Sequence, residues 1–383
     1  MAPDAALRAN AFVDSVCSGN VERYSINRGP LVNVGSVLAV LTACALGACG
    51  RATDSGASSM PVELAPAIDS IDGLDQPDVA IESATGVLLV PDPKLPGLLR
   101  LDFPSGRRDS IGRAGDGPGE YRTPSYLYAM AGGRIGVMDG LARRITVLSP
   151  TLEYREQYAS PPGLFPFLLR LDTLGNHFSV GMTTQPFAPG DSVPILRRRA
   201  GVMQIDTVAF VERLRTAPIQ VGQSRMMVPA EYAPRDLWGV QLDGTVWIAR
   251  GQQRELEFIS TSGRTRRAKL PYAPITTTDA DRGLFRGLPA PSGLDRGTSE
   301  LAPIKGPFQE VRTDAAGHFF LWLNQPAGYK TELYAEHDQN GALVRTIALP
   351  GASKIIAVST AFIYTTSETA DGDWVVRRYG RPR

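Results

Sequence analysis

The chain has 383 residues, 43% of them apolar, with 40 Lys+Arg against 39 Asp+Glu. That apolar fraction excludes a disordered chain, and a net charge of +1 gives no electrostatic reason to bind nucleic acid. Gly 39 and Pro 30 exceed average usage without a collagen-like period, so short elements and frequent turns are expected. All three cysteines, Cys17, Cys44 and Cys49, precede residue 50, which leaves 50–383 without a disulfide or a thiolate metal site.

Residues 1–28 carry Asp4, Asp14 and Glu22 against three arginines and have no apolar stretch, as expected if translation starts downstream of Met1. From Leu31 to Ala48 the chain is uncharged, follows Arg23 and Arg28, and is short for a membrane span of about 20 residues. Asn33, Gly35, Ser36 and Thr42 weaken a permanent transmembrane helix further. The run ends in Leu46-Gly47-Ala48-Cys49, which resembles the bacterial lipobox, where cleavage before a cysteine precedes its lipidation. Leu41-Thr42-Ala43-Cys44 fits the same pattern; Cys49 is preferred because the apolar run reaches it and a Gly/Ser-rich tether follows. An uncleaved anchor or an ordinary secretory signal are the alternatives. The expected organisation is an extension with a lipoprotein signal over 1–49, a flexible tether over 50–60 and a folded domain over 61–383.

The folded part reads as all-β. A hairpin recurs six times: 79–90 turning at Thr85-Gly86, 127–137 at Gly132-Gly133, 169–180 at Gly175-Asn176, 239–248 at Asp243-Gly244, 311–321 at Ala316-Gly317 and 356–364 at Thr360-Ala361. A second hairpin follows several of these, as in 99–111, 145–156, 256–266 and 333–344. Four-stranded antiparallel units repeated six times predict a six-bladed β-propeller, with a β-sandwich as the alternative. The turns are expected to be two-residue loops with positive φ at Gly or Asn. Spacings of 68 and 73 residues between equivalent turns require insertions, expected near 182–200 and 272–305, the latter with a short helix within Thr276–Leu288. Too little chain follows Tyr364 for a full blade, so Val62–Leu64 or Ile68–Ile71 is expected to supply the missing strand.

Residues 111–124, Ile-Gly-Arg-Ala-Gly-Asp-Gly-Pro-Gly-Glu-Tyr-Arg-Thr-Pro, stand between the first two units, followed by Gly133-Arg134-Ile135-Gly136-Val137-Met138-Asp139 and Arg143-Arg144-Ile145-Thr146-Val147-Leu148. This stretch resembles bacterial six-bladed β-propeller lipoproteins related to NHL repeats, in which G-x-G-P-G-E-[FY]-x-x-P precedes a blade. The resemblance is specific over 111–149 and diffuse elsewhere; Met182 and Arg250 stand where Asp139 stands in the second unit. Gly115, Gly117 and Gly119 are expected at positive φ, Glu120 to bond turn amides, and Tyr121 to pack between blades. A phosphate cradle is disfavoured because a strand, not a helix, follows the glycines.

Chemistry is sparse. His177 and His318 follow equivalent turn glycines, His337 stands alone, and none has metal-ligand spacing. Asp279-Ala280-Asp281-Arg282-Gly283 begins like a calcium loop, but Ala290 occupies its twelfth position. Arg197-Arg198-Arg199 and Arg264, Arg266 and Arg267 read as solvated faces. No catalytic, cofactor-binding or metal residue is assigned, no cofactor is expected, and the one modification site expected is lipidation at Cys49. The sequence thus predicts an exported, lipid-anchored propeller facing the periplasm or cell exterior, binding a protein, peptide or small molecule. A channel-mouth hydrolase or lyase is the alternative, and a sensor domain beside a membrane partner is a third reading.

Overall fold

The computed structural model describes residues 60–92, 97–164, 169–181, 192–212, 216–221, 224–287, 294–295 and 301–382. Strands Ile81–Glu82, Leu88–Pro91, Leu98–Asp102 and Arg107–Ile111 pair consecutively and antiparallel as blade 1. Blade 2 is Pro124–Ala129, Ile135–Asp139, Arg144–Leu148 and Tyr154–Ala159; blade 3 is Arg170–Leu171, His177–Val180, Ser192–Arg198 and Ile205–Glu212. Blade 4 is Leu237–Val240, Val246–Arg250, Glu255–Ile259 and Thr265–Lys269; blade 5 is Phe308–Thr313, Phe319–Leu323, Thr331–His337 and Leu343–Pro350. Blade 6 is Lys354–Val358, Phe362–Glu368 and Trp374–Gly380, completed by Asp69–Leu74 from the other end of the chain. The protein is a six-bladed β-propeller.

Alternation along the strands explains the ring. Leu88 and Val90 face blade 6, sharing a cluster with Ile356, Tyr364 and Val376, whereas Leu89 between them faces blade 2 with Tyr121, Ile135 and Val137. Each remaining pair of neighbours has its own apolar cluster, so all six junctions are sealed alike. Fully burying each such side chain contributes about 1.5–3 kcal/mol. Closure uses both N-terminal candidates. Ile71 pairs opposite Val376 inside blade 6, while Val62–Glu63 runs parallel to the outer strand of blade 5, with Val62 opposite Ile347. That pairing covers part of the outer edge of blade 5, a place where another chain could otherwise add.

The hairpin turns differ from the expected two-residue type. Ser83, Asp172, Ser260, Asp314 and Asp338 each donate the backbone N–H to the carbonyl of the residue four positions on and accept from the amide of the glycine three positions on, which has positive φ. This is a type I turn followed by a left-handed residue, a three-residue loop. The side chain of the first residue adds a bond that sequence reading missed. Ser83 Oγ accepts from Val87 N (3.2 Å), Asp172 Oδ1 from Asn176 N (2.9 Å), Asp314 Oδ1 from His318 N (2.8 Å) and Asp338 Oδ1 from Ala342 N (2.9 Å). The repeated signal is therefore Ser/Asp-x-x-Gly-x, with Ser260 and Arg264 as another instance.

One insertion is misplaced in the sequence reading. Ser192–Arg198 is the third strand of blade 3, so 182–200 does not lie wholly outside the blade. The additional chain before blade 4 is instead a hairpin, Thr216–Val221 with Ser224–Pro229. The 272–305 insertion is present: Ile275–Thr276 pairs with Ile304–Lys305 around a helix, Asp279–Gly287. Leu294–Asp295 pairs with Thr216–Val221, so the two insertions join beside blade 4.

Candidate functional site

The six innermost strands surround the central channel, and their half-buried side chains divide it into two unlike walls. On blades 5, 6 and 1 the charges satisfy one another. Lys354 Nζ lies 3.0 Å from Asp78 Oδ1 and 3.1 Å from Glu310 Oε2, Arg312 pairs with Glu310, and Arg312 Nη2 donates to the Asp78 carbonyl (2.8 Å). On blades 2, 3 and 4 the wall is aromatic and cationic. Arg170, in the innermost strand of blade 3, has its guanidinium carbon 5.1 Å from the Tyr126 ring centre and 5.8 Å from that of Trp238. Those rings belong to the innermost strands of the two flanking blades. Leu169 and Leu171 turn into the cluster between blades 2 and 3, and Arg170 between them reaches the innermost strands of both flanking blades.

The histidines are tied into the fold. His337 is fully buried, with Nδ1 2.9 Å from the Gly341 carbonyl and Nε2 2.6 Å from the Tyr272 hydroxyl. A carbonyl only accepts, so Nδ1 carries the proton and Nε2 accepts from Tyr272. Burial lowers the His337 pKa and raises that of Tyr272. His318 meets Glu336 at 2.8 Å, where Arg381 binds both Glu336 (2.6 Å) and Asp314 (2.7 Å) and so locks the chain's last described residues to blade 5. Glu336 is held below the ordinary range: burial acts upward, but the bonds from Arg381 and His318 outweigh it. His177 is buried edge-on against Tyr158, and burial pushes its pKa down to about 4.

The glycine-rich stretch is a structural knot. Glu120 Oε2 accepts from Gly117 N (2.8 Å), Oε1 pairs with Arg113, and Tyr121 is fully buried between blades 1 and 2. Gly112, Gly115 and Gly119 have positive φ, but Gly117 does not; a Cβ there would lie 3.0 Å from the Glu120 carboxylate. At 117 it is close approach to the Glu120 carboxylate, not a left-handed backbone, that a side chain would meet. Asp281 is likewise structural. It caps its helix through Thr278 (2.8 Å to the amide) and binds the buried Lys305 at 2.6 Å. The arginine clusters are paired in part: Arg197 and Arg199 each reach Asp206 at 3.2 Å and Arg267 binds Glu257 at 2.8 Å, while Arg198 and Arg266 donate to the Val202 and Gln339 carbonyls.

A cleft of about 220 Å³ lies where the 272–305 insertion meets blades 4 and 5, lined by Pro234, Arg254, Pro274, Pro303, Lys305 and Pro307 among others. Among the described residues no three His, Cys, Asp or Glu converge on a point where one cation could sit, and no helix is long and apolar enough to cross a membrane. Cys49, Cys44 and the whole signal-like segment lie outside the described residues, as does Met182.

No known family profile matches the chain, and no curated protein is similar to it in sequence. Solved structures are similar to it at low identity. A DUF4221 family member from Bacteroides vulgatus is 9% identical, with a TM-score of 0.45 over 82% of this chain and 94% of that one. A Bacteroides fragilis protein described as exported is 12% identical, with a TM-score of 0.46 over 81% and 92%. The virginiamycin B lyase of Staphylococcus aureus is 12% identical, with a TM-score of 0.38 over 81% and 98%.

Proposed function

We propose that this six-bladed propeller is exported, retained at a membrane by lipid on Cys49, and binds a ligand in its central channel without transforming it. The observation that carries the binding reading is the state of the channel wall. Its polar side chains are half-buried and already held in place by one another or by ring contacts, so little ordering remains when a ligand docks. The groups best suited to proton transfer are engaged elsewhere. Each histidine is buried or bonded within a blade, and a general base must reach the proton it abstracts. Export and anchoring rest on the uncharged run 31–48 ending at a small-residue cysteine.

Two measurements test the two halves. Mass spectrometry of membrane-extracted protein is expected to find a mature N-terminus at Cys49 bearing lipid; an unmodified product beginning elsewhere would refute the anchor. Thermal-shift screening of the full chain against small metabolites is expected to give hits that compete with one another for one site. Hits whose binding is unaffected by substitutions on the innermost strands would remove the channel from consideration.

A further inference from the structure

We infer that Arg170 is the anchor of an anion subsite in the channel, recognising the carboxylate of an organic acid whose flat apolar body lies against Trp238 and Tyr126. This rests on the channel-binding reading above and gives it a ligand class.

Charge pairing sets the two walls apart. On the opposite wall each cation has its acid: Lys354 has Asp78 and Glu310, and Arg312 has Glu310. Arg170 is half-buried, yet among the described residues no carboxylate lies within ion-pair distance of it. Its partners are the neighbouring Leu169 carbonyl, 3.0 Å from Nη1, and the two rings, while the nearby Tyr128 hydroxyl donates to the same Leu169 carbonyl. A guanidinium has five N–H donors, so at least three are left without an acceptor from these groups. Partial desolvation makes such a group costly to leave unmatched and strengthens its attraction to an incoming anion. The Leu169 bond and the flanking rings restrict the fork, and a planar fork matches a carboxylate in two parallel bonds.

The rings set the rest of the ligand. Trp238 and Tyr126 come from different blades and flank the guanidinium, so an acid bonded to Arg170 has aromatic surface beside it. Small inorganic anions would leave that surface uncovered, while an aryl or similarly flat acid would cover it. The opposite wall, whose cations already have acids, offers polar contacts without competing for the carboxylate.

The test compares phenylacetate, phenylacetamide and phenethylamine as probes of the full chain, by calorimetry and by quenching of tryptophan fluorescence. Saturable binding is expected for phenylacetate and at least tenfold weaker binding for the amide and the amine. Arg170→Gln is expected to weaken phenylacetate at least tenfold, Arg170→Lys less, and Trp238→Leu to reduce both affinity and quenching. Arg107→Gln, the same charge change on the exposed outer strand of blade 1, is expected to leave binding unchanged. Melting temperatures measured without probe establish that each variant folds. Equal binding of acid and amide, with Arg170→Gln silent, overturns the anion subsite while the channel reading stands. No binding by any of the three probes overturns the subsite, and the metabolite screen then decides the channel separately.

Discussion

Blades 2 and 4 face the same problem, a charged residue at the inner end of a buried hairpin, and solve it with opposite charges. In blade 2, Asp139 closes the second strand opposite Arg144; in blade 4, Arg250 stands there opposite Glu255. Asp139 is fully buried and accepts three backbone amides, Arg122 N at 2.6 Å, Thr123 N at 3.1 Å and Ala142 N at 3.0 Å. Arg144 donates to the carbonyls of Asp116 (2.7 Å), Gly115 (3.0 Å) and Glu120 (2.5 Å). These charges hold the backbone of the glycine-rich loop. In blade 4 the acid has moved onto the preceding loop as Asp236, which accepts Glu212 N at 2.8 Å and binds Arg250 at 2.6 Å. Arg250 also binds Glu257, which binds Arg267. One blade matches charge with backbone and the other matches charge with charge. Losing the Asp at this position is a relocation, not an erosion.

The largest effect is expected at Asp139. Asp139→Ala leaves three amides without their acceptor and Arg144 without its nearby acid, a loss of about 3–5 kcal/mol in urea-unfolding free energy. Adding Arg144→Met should not restore it, because the amides and loop carbonyls remain unmatched. Recovery in the double variant would show that blade 2, like blade 4, relies on the ion pair.

Blade 3 offers a third arrangement, in which burial keeps an ionisable group neutral. His177 Nε2 has no partner among the described residues, and its pKa is pushed down to about 4 from 6.5, first by burial and then by the Arg198 charge. The unfolded chain binds the proton more readily between those values, so stability rises with pH across that window and is lost as pH falls from 6.5 towards 4. The full shift corresponds to roughly 3 kcal/mol. His177→Phe is expected to flatten the pH 4–6.5 dependence of unfolding free energy; an unchanged slope would assign it to other groups.

How much of this was legible in sequence follows from the range of each interaction. Hairpins were readable because strand alternation and turn glycines are local, and closure was readable because β-rich stretches near Val62 and Ile71 precede the first blade. Glu120 and Tyr121 were also readable, being fixed within a few residues of the glycines they serve. The turn type was misread because Asn-Gly and Asp-Gly pairs occur in both two- and three-residue loops; the discriminating residue is the Ser or Asp three places before the glycine, as in Ser83 or Asp314. Asp236 replacing Asp139 was invisible because it lies 14 residues from its arginine and reaches it only through the fold. Arg170 was missed for the same reason. An arginine without an acid looks like any other until the strands of three blades place two rings beside it and, among the described residues, no carboxylate.

The smallest expected effect separates blades 2 and 4 most cleanly. Arg250→Met leaves Asp236 and Glu257 without their shared guanidinium, but Glu257 keeps Arg267 and Asp236 keeps the Glu212 amide. Asp236 is already shifted upward by burial, so in the variant it can take up a proton instead of remaining a buried charge. The expected loss is therefore about 2 kcal/mol, below that at Asp139. Asp236→Asn in that background removes the charge while keeping an oxygen for the Glu212 amide, and at least half of the loss should return. Lowering the pH should shrink the Arg250→Met penalty in the same way, whereas a charge cannot be titrated onto the backbone amides that Asp139→Ala strands. If Asp236→Asn restores nothing, Arg250 acts in blade 4 through packing and not through its two acids, and the two blades then differ in more than the placement of charge.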